Sequence, residues 1–256
     1  MPPQVFNMYK KTEGLVLSRN RFGESHAYVK ILTKEGIITF LGHGIMSTKN
    51  KSFTACQPYT FSEFVLKVSG ENISLSSADT ITHLIKQGID FERLSLANYL
   101  ISLASDTAFD TEDAESILSL VCHALKNAGK PDVPTDIIKA VYEIKLTAAL
   151  GFLPDLTSCI VCGKEKTAGF FIPSEGGIIC PDCSFNERED GIKVSLELTK
   201  GITHLLTLPP KEAFGIRFAD ETMKNSFITI AERFSLEHLD CAIGALKFYK
   251  DNLKNY

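Results

Sequence analysis

The stretch that decides the first half of the fold is Tyr59-Thr-Phe-Ser-Glu-Phe-Val-Leu-Lys-Val68. Phe64 and Leu66 fall on one face of an extended chain, whereas Glu63 and Lys67 fall on the other. An apolar residue at every second position is typical of a strand with one buried and one solvated face. The stretch therefore predicts a half-buried β-strand.

Four more strands are predicted around this one, because short runs rich in Val, Ile, Phe and Thr are separated by turn residues. They cover residues 14–18, 28–33, 37–41 and 73–76. Five short strands with a longer connection after the third match the size and rhythm of an OB-fold barrel. A small SH3-like barrel is the structural alternative.

Beyond residue 90 the apolar pattern changes to the period of a helix. One helix is expected from residue 114 to 125, and a second between Pro134 and Gly151, which have the Pro-in and Gly-out pattern of helix ends. Further helices are expected at residues 94–105, 195–208, 220–233 and 236–253. The prediction is a multidomain α+β protein, with an N-terminal OB-fold β-barrel over residues 1–82 and a helical domain over residues 83–256.

The helical domain contains two Cys-x-x-Cys pairs, Cys159-Ile-Val-Cys162-Gly163 and Cys180-Pro-Asp-Cys183, separated by seventeen residues. Two such pairs at this spacing are typical of a four-sulfur zinc site. Gly163 permits the tight backbone turn that a metal-binding hook needs. A redox-active Cys-x-x-Cys is the alternative, but it would explain one pair and leave the other without a role.

The prediction is one structural Zn²⁺ in a zinc ribbon-like insert at residues 156–188. A hairpin from residues 170–173 and 178–180 would join the two hooks. Because sulfur fills all four tetrahedral positions, no ligand position is left for water or substrate. The six histidines form no metal-binding pattern, and the phosphate-binding and nucleophile motifs of common enzymes are missing. The sequence therefore predicts a protein that is not an enzyme.

Seven cysteines in 256 residues are too few for a secreted disulfide scaffold. Cys56, Cys122 and Cys241 lie outside the two pairs and are expected to be buried thiols in a reducing compartment. No uncharged apolar run approaches the roughly 18 residues of a membrane helix. A cytoplasmic protein without a membrane segment is expected.

Charge is distributed unevenly along the chain. The formal net charge is -4, yet eight basic and three acidic residues lie between Lys10 and Lys51, so this segment carries +5 and the remainder -9. Such asymmetry fits a basic face for nucleic acid on an acidic body, and it fits a solvated sheet face equally well.

Several segments together resemble the bacterial recombination mediator family RecO. They are Thr-Glu-Gly-Leu-Val-Leu-Ser-Arg at 12–19, Phe-Gly-Glu-Ser at 22–25, Leu-Thr-Lys-Glu-Gly at 32–36, Leu-Gly-Phe-Leu-Pro-Asp-Leu at 150–156 and Phe-Phe-Ile-Pro-Ser-Glu-Gly-Gly-Ile-Ile-Cys at 170–180. The resemblance spans nearly the whole chain. It is weaker after residue 195, where the helix pattern matches more than the residues do.

The resemblance implies a DNA repair protein, associated with the nucleoid, that acts without nucleotide hydrolysis. It implies single-stranded DNA and the single-strand-binding protein as partners, cooperation with RecR, indirect action on RecA through its loading, and annealing of complementary strands. An OB-fold binds single strands through a basic groove and aromatic stacking. The residues expected to bind DNA are Lys10, Lys11, Arg19, Arg21, Lys49 and Lys51, with Phe22 and Phe53 close to them in sequence.

Two departures from the family pattern affect this expectation. His26 stands where the family commonly has aspartate, and residues 42–47 lack the arginine pair usual in that loop. Fewer arginines mean fewer phosphate contacts, which predicts weaker direct DNA binding and a larger role for protein partners. Two other functions stay open: a nucleic-acid adaptor of another pathway, and a zinc-stabilised protein-interaction adaptor with little direct DNA binding.

Overall fold

The computed structural model describes residues 8–85, 88–108, 113–165, 168–184, 191–239 and 243–253. Cys241 lies outside these ranges. The chain forms two compact units, one from Met1–Lys130 with Gly244–Tyr256 and one from Pro131–Ile243. None of the helices in the described part of the chain has the length and apolarity needed to span a bilayer.

Among the described residues, the first unit contains five strands, two complete helices and all but the first residue of a third helix. The second unit contains four strands and four helices. In chain order the elements are β1 Met8–Phe22, β2 His26–Thr33, β3 Gly36–Gly42, β4 Thr60–Ser69, β5 Asn72–His83, α1 Phe91–Thr107, α2 Ala114–Ala128, α3 Thr135–Ala149, β6 Asp155–Cys159, β7 Gly169–Ile172, β8 Gly177–Ile179, β9 Ile192–Val194, α4 Leu196–Thr207, α5 Pro210–Ala213, α6 Glu221–His238 and α7 Ile243–Leu253.

Strands β1 to β5 close into a barrel in the order β1-β2-β3-β5-β4. The neighbouring pairs are antiparallel except β3 and β5, which meet in parallel at Leu41 and Ser74. This strand order is the OB-fold topology, so the predicted fold class is confirmed. The barrel interior is filled by apolar side chains, among which the rings of Phe40 and Phe64 lie 5.5 Å apart between centroids.

Two strands are longer than the sequence pattern predicts. The first half of β1 pairs with β4 and its second half with β2, with a register shift between Val16 and Ser18. Strand β5 continues its pairing with β4 up to the Thr60–His83 pair. Both extensions consist mainly of polar residues, so they have no alternating apolar pattern from which a strand could be predicted. They are strands because their backbones form hydrogen bonds with the neighbouring strand.

Helices α1 and α2 belong to the same compact unit as the barrel. The Lys30 ammonium on β2 donates a hydrogen bond to the Ser105 hydroxyl on α1 at 3.0 Å. Helix α7 returns to α1, where the Tyr99 and Tyr249 rings stack with centroids 6.4 Å apart. The barrel strands end at His83, beside the domain boundary predicted at residue 82, while the compact unit extends further to include these helices.

The second unit combines helices with a small four-stranded sheet of order β6-β8-β7-β9. Strands β7 and β8 form the predicted antiparallel hairpin, and β6 runs parallel to β8. The sheet packs on α6 through Phe171 and Phe234, whose ring centroids are 5.8 Å apart. The Asp220 carboxylate caps α6 by accepting a hydrogen bond from the backbone N–H of Met223 at 2.7 Å.

The start predicted for the last helix, residue 236, is wrong. Helix α6 continues to His238, and α7 begins only at Ile243. The continuation is stabilised by Phe234, which is buried, and by the His238 ring, which contacts Phe234 with centroids 4.3 Å apart. This tertiary packing extends the helix beyond the point at which the sequence pattern alone ends it.

Candidate metal centre and nucleic-acid interface

The first cysteine hook follows β6. Cys159 is the last residue of that strand, and its backbone N–H donates to the Lys164 carbonyl at 2.9 Å. The chain reverses through Gly163, whose φ of 72° lies in the left-handed region that favours glycine. Gly163 also donates its backbone N–H to the Cys159 carbonyl at 2.8 Å. The hook is thus a tight hydrogen-bonded turn that holds both sulfurs on one side.

The second hook follows β8. Cys180 precedes a short 3₁₀ turn over Pro181–Cys183, and the Cys183 N–H donates to the Cys180 carbonyl at 3.0 Å. Because β6 and β8 are neighbouring parallel strands, the hooks that follow their carboxyl ends lie at the same end of the sheet.

The four sulfur atoms lie within 4.8 Å of one another. The Cys162 and Cys180 sulfurs are 3.8 Å apart. A tetrahedral Zn²⁺ with Zn–S bonds of about 2.3 Å requires sulfur–sulfur separations of about 3.8 Å. The arrangement therefore fits a metal ion held by four cysteines.

The environment of the sulfurs favours thiolate at one position and disfavours four thiolates without a cation. Burial opposes ionisation of Cys159, but backbone N–H groups of Cys180, Cys162 and Val161 point to its sulfur and lower its pKa to about 6. Hydrogen bonding of the Cys183 thiol to the sulfurs of Cys162 and Cys180 raises its pKa to about 12. A divalent cation would stabilise all four as thiolates, because its charge offsets their mutual repulsion.

The cluster is partly buried. Cys159 and Cys180 are buried against Ile172 and Ile179, whereas Cys162 is exposed. Apolar packing on one side fixes the buried sulfurs in place, and the exposed side gives an ion a path of entry.

Cys56 and Cys122 are free thiols outside the cluster. Burial raises the pKa of each to about 12. Thiols of this kind are inert at neutral pH because the reactive form of cysteine is the thiolate. The expectation that Cys56 is buried is confirmed, while Cys122 is only half-buried.

On the barrel, the loop after β3 folds against the turn between β1 and β2. The backbone N–H of Met46 donates to the Ser25 carbonyl, and that of Gly44 donates to Nδ1 of His26, both at 3.0 Å. The His26 and His43 rings meet edge to face, 5.1 Å apart between centroids. We call this region the barrel tip, defined as residues 19–28 and 43–53.

Arg19 is anchored within the barrel tip. Its guanidinium lies 4.8 Å from the centroid of the Phe53 ring and donates to the Gln57 side-chain oxygen at 3.1 Å and to the Phe53 carbonyl at 3.4 Å. Burial lowers its pKa, with no consequence for its charge near neutral pH. Phe53 is therefore covered on one face by Arg19, and the pair fixes the loop to β1.

Lys10 and Lys11 lie on the other half of β1. Lys10 forms an ion pair with Glu35 and Lys11 forms one with Glu63, the latter at 2.8 Å. Lys11 also lines a cavity of about 710 Å³ that includes four glutamates. The charges of Lys10 and Lys11 are balanced locally, whereas Arg19 is held against Phe53, so three of the six expected DNA-binding residues already have partners within the protein.

The remaining three cations are exposed at the barrel tip. They are Arg21, Lys49 and Lys51. Beside them, Phe22 and Tyr28 are 50% and 42% exposed, with ring centroids 5.1 Å apart. Sequence reasoning did not single out Tyr28, although the alternation of β2 places it on the same outward face as Lys30.

The fold and the site together define an OB-fold protein with a cluster of four cysteines, on a separate sheet, that could hold a metal ion. Residues 8–83 match the family described as "Recombination protein O N terminal", and residues 89–245 match "Recombination protein O C terminal". The chain therefore belongs to the recombination protein O family, which confirms the resemblance found in the sequence.

Several relatives named "DNA repair protein RecO" are similar over almost the whole chain. The protein of Alkaliphilus metalliredigens is 27% identical over 235 residues, covering 91% of this chain and 95% of the relative. That of Acetivibrio thermocellus is 26% identical over 245 residues, covering 94% and 96%. That of Caldicellulosiruptor saccharolyticus is 29% identical over 244 residues, covering 94% and 97%.

Proposed function

We propose that this chain is a recombinational DNA repair mediator that binds single-stranded DNA through the barrel tip. In this role it would act with the single-strand-binding protein and RecR at the nucleoid, promote RecA loading and anneal complementary strands, without catalysing a reaction of its own. The observation that carries the proposal is an OB barrel with three exposed cations and two exposed aromatic rings at one tip, in a member of the recombination protein O family.

The chemistry of the tip suits single-stranded DNA. Exposed lysine and arginine side chains neutralise phosphates and release counterions, and aromatic rings stack on bases that are not paired. OB-folds bind oligonucleotides on the face of their second and third strands and on the loops after the first and the fourth strand. Phe22 and Tyr28 flank the first of these loops, whereas Lys49 and Lys51 lie in the connection between β3 and β4. Local pairing of Lys10 and Lys11 with glutamates argues for a modest number of phosphate contacts, concentrated at the tip.

For the metal centre, we propose one structural Zn²⁺ held by Cys159, Cys162, Cys180 and Cys183. When bound, the ion would cross-link the two hooks. It would supply no catalytic chemistry, because sulfur fills all four tetrahedral positions and leaves none for water or substrate. The residues themselves provide the preformed turns and the apolar support of the buried pair.

Reversing the exposed cations tests the DNA interface. In a variant with Arg21, Lys49 and Lys51 changed to Glu, binding to single-stranded DNA is expected to weaken, and the slope of log K against log salt to fall by about 2, since each lost phosphate contact contributes about 0.7. The measurement is fluorescence anisotropy with a labelled oligonucleotide over a salt series.

The matched control reverses Lys193, Lys200 and Lys211, three exposed lysines of the second unit. This control has the same change in net charge and is expected to keep most of the wild-type slope. If instead the control loses binding and the tip variant does not, DNA binds the second unit. If the wild-type protein itself shows no salt-dependent binding to single-stranded DNA, the chain is better described as a protein-interaction adaptor.

A further inference from the structure

Strand β1 has an open edge along its first half. Met8–Leu15 pair with β4, but the pairing of β1 with β2 begins only at Leu15, which lies opposite Leu32. Strand β2 ends one residue later, at Thr33, where the chain turns into β3. Residues 8–14 therefore have a neighbouring strand on one side only, over a length of roughly 20 Å.

The direction of the backbone groups at this edge follows from one hydrogen bond. The Val16 carbonyl accepts from the backbone N–H of Tyr59, the residue before β4, at 3.1 Å. Backbone groups of successive residues in a strand point alternately to its two sides, and the pairing of β1 with β4 has no register shift. The N–H and C=O groups of Tyr9, Lys11 and Glu13 therefore point to the open edge.

These groups are available to another chain. In the described part of the protein, no backbone hydrogen bond outside the strand pairs involves residues 8–14, and Tyr9, Lys11 and Glu13 are exposed. The Thr12 hydroxyl lies 3.5 Å from the Glu13 carbonyl, which is too far for a strong hydrogen bond. An exposed strand edge of this kind is a template for an added strand.

A cavity lies over the outward face of β1 beside the open edge. It has a volume of about 710 Å³ and is lined by residues 11–13 of the edge, by Phe61 on β4 and by Leu118 and Ser119 on α2. This volume is in the range of small-ligand sites and is large enough for a bulky side chain. Since paired strands project their side chains from the same two faces, an added strand would direct every second side chain towards this cavity.

The charges on the edge decide what pairs with it. Lys10 and Lys11 lie near its middle, with side chains 38% and 67% exposed. Two copies of the chain that paired antiparallel about this point would bring Lys10 opposite Lys10 or Lys11 opposite Lys11, and like charges directly opposite are destabilising. A carboxylate opposite Lys11 is favourable instead. The edge therefore favours a segment of a different protein over a second copy.

We propose that residues 8–14 of β1 bind an extended segment of a protein partner as an added strand. An apolar side chain of that segment enters the cavity, and one of its carboxylates lies opposite Lys11. The inference goes beyond the proposed function, since it assigns a partner surface to the half of β1 that does not belong to the barrel tip. Main-chain hydrogen bonds supply affinity in this mode of recognition, and the side-chain contacts supply specificity.

A phage-displayed library of random twelve-residue peptides, selected on the full chain, provides the probe. The selected peptides are expected to alternate apolar and polar residues and to contain an acidic residue. When a selected peptide is N-methylated at one position at a time, the affinity is expected to fall about tenfold at every second position, because only alternate N–H groups face β1. Isothermal titration calorimetry measures the affinities.

Substitutions in the protein test the same contact from the other side. Lys11→Pro removes an N–H from the open edge, where proline is tolerated, and is expected to weaken peptide binding about tenfold. The matched control is Lys11→Arg, which keeps the N–H and the charge and is expected to bind like the wild type. Ser119→Trp fills the cavity from α2 and is expected to weaken binding as well. Thermal melting checks folding, and if Lys11→Pro does not fold, the N-methyl series and Ser119→Trp decide.

Several results would overturn the inference. They are a selection that yields no binding peptide, affinities that N-methylation leaves unchanged at every position, and wild-type peptide binding by folded Lys11→Pro or by Ser119→Trp. A wild-type protein that sediments as a dimer, with Lys11→Pro sedimenting as a monomer, would assign the edge to a second copy and contradict the partner segment. None of these experiments contains DNA, so the proposed function stands or fails separately on the anisotropy measurements.

Discussion

Replacing Cys162 with Ser is expected to abolish metal binding by the four-cysteine cluster and to destabilise the second unit by several kcal/mol. Cys162 is exposed, so the substitution leaves packing almost unchanged, and the loss reports the missing ligand. Structural zinc contributes about 10–16 kcal/mol in zinc-finger peptides, because the site is absent in the unfolded chain. Elemental analysis of protein purified without added metal should give one zinc per wild-type chain and close to none for the variant.

Cys122→Ser is the matched control, since this cysteine lies outside the cluster. It is expected to keep one zinc per chain and a near-wild-type melting temperature. Wild-type protein treated with a strong chelator should melt at the lower temperature of Cys162→Ser. A wild-type chain that contains no zinc, or that melts unchanged after chelation, would contradict a structural metal.

Lys139→Met is the second substitution with a large expected effect, a loss of about 3–5 kcal/mol in the free energy of unfolding. Lys139 on α3 lies 2.8 Å from a carboxylate oxygen of Glu143 and 2.8 Å from one of Glu232 on α6. The lysine and Glu143 side chains are 4% and 1% exposed. Removing the ammonium deprives the buried Glu143 carboxylate of its ion pair with Lys139, and chemical denaturation measures the cost.

The pH dependence gives an independent check. Burial alone would lower the pKa of Lys139, but the carboxylates of Glu143 and Glu232 raise it above its usual range. The stabilisation is therefore complete at neutral pH and is lost only at alkaline pH, as the pH rises from the unfolded-state value of about 10.4 through the higher folded-state pKa.

Two further variants test whether the lost ion pairs cause the lower stability of Lys139→Met. A triple variant, Lys139→Met with Glu143→Leu and Glu232→Leu, should recover most of the lost stability, because the two carboxylates that pair with Lys139 are removed together with the ammonium. Lys11→Met removes an ion pair on the protein surface and should change stability little. If the triple variant is no more stable than Lys139→Met, packing at this position accounts for the loss and the charge does not.

The sequence by itself determined those features that depend on residues close together along the chain. The alternation in residues 59–68 predicted β4, Pro134 and Gly151 marked the two ends of α3, and the spacing of the cysteines predicted a four-sulfur cluster. Gly163 was expected to permit a tight turn, and it adopts a left-handed φ. Each of these signals is local, because a strand period, a helix end or a hook involves only a few successive residues.

Tertiary structure alone decided which charges and rings are available to a partner. Lys10 and Lys49 are both cations of one basic segment, yet Lys10 is paired with Glu35, which is 25 residues away in the chain, and Lys49 is exposed at the barrel tip. Phe53 is covered by Arg19, whereas Tyr28 is left open. Folding of β1 against turns and loops that lie far away in the chain brings such residues together, and the distance in sequence between two such neighbours is not fixed by any local pattern.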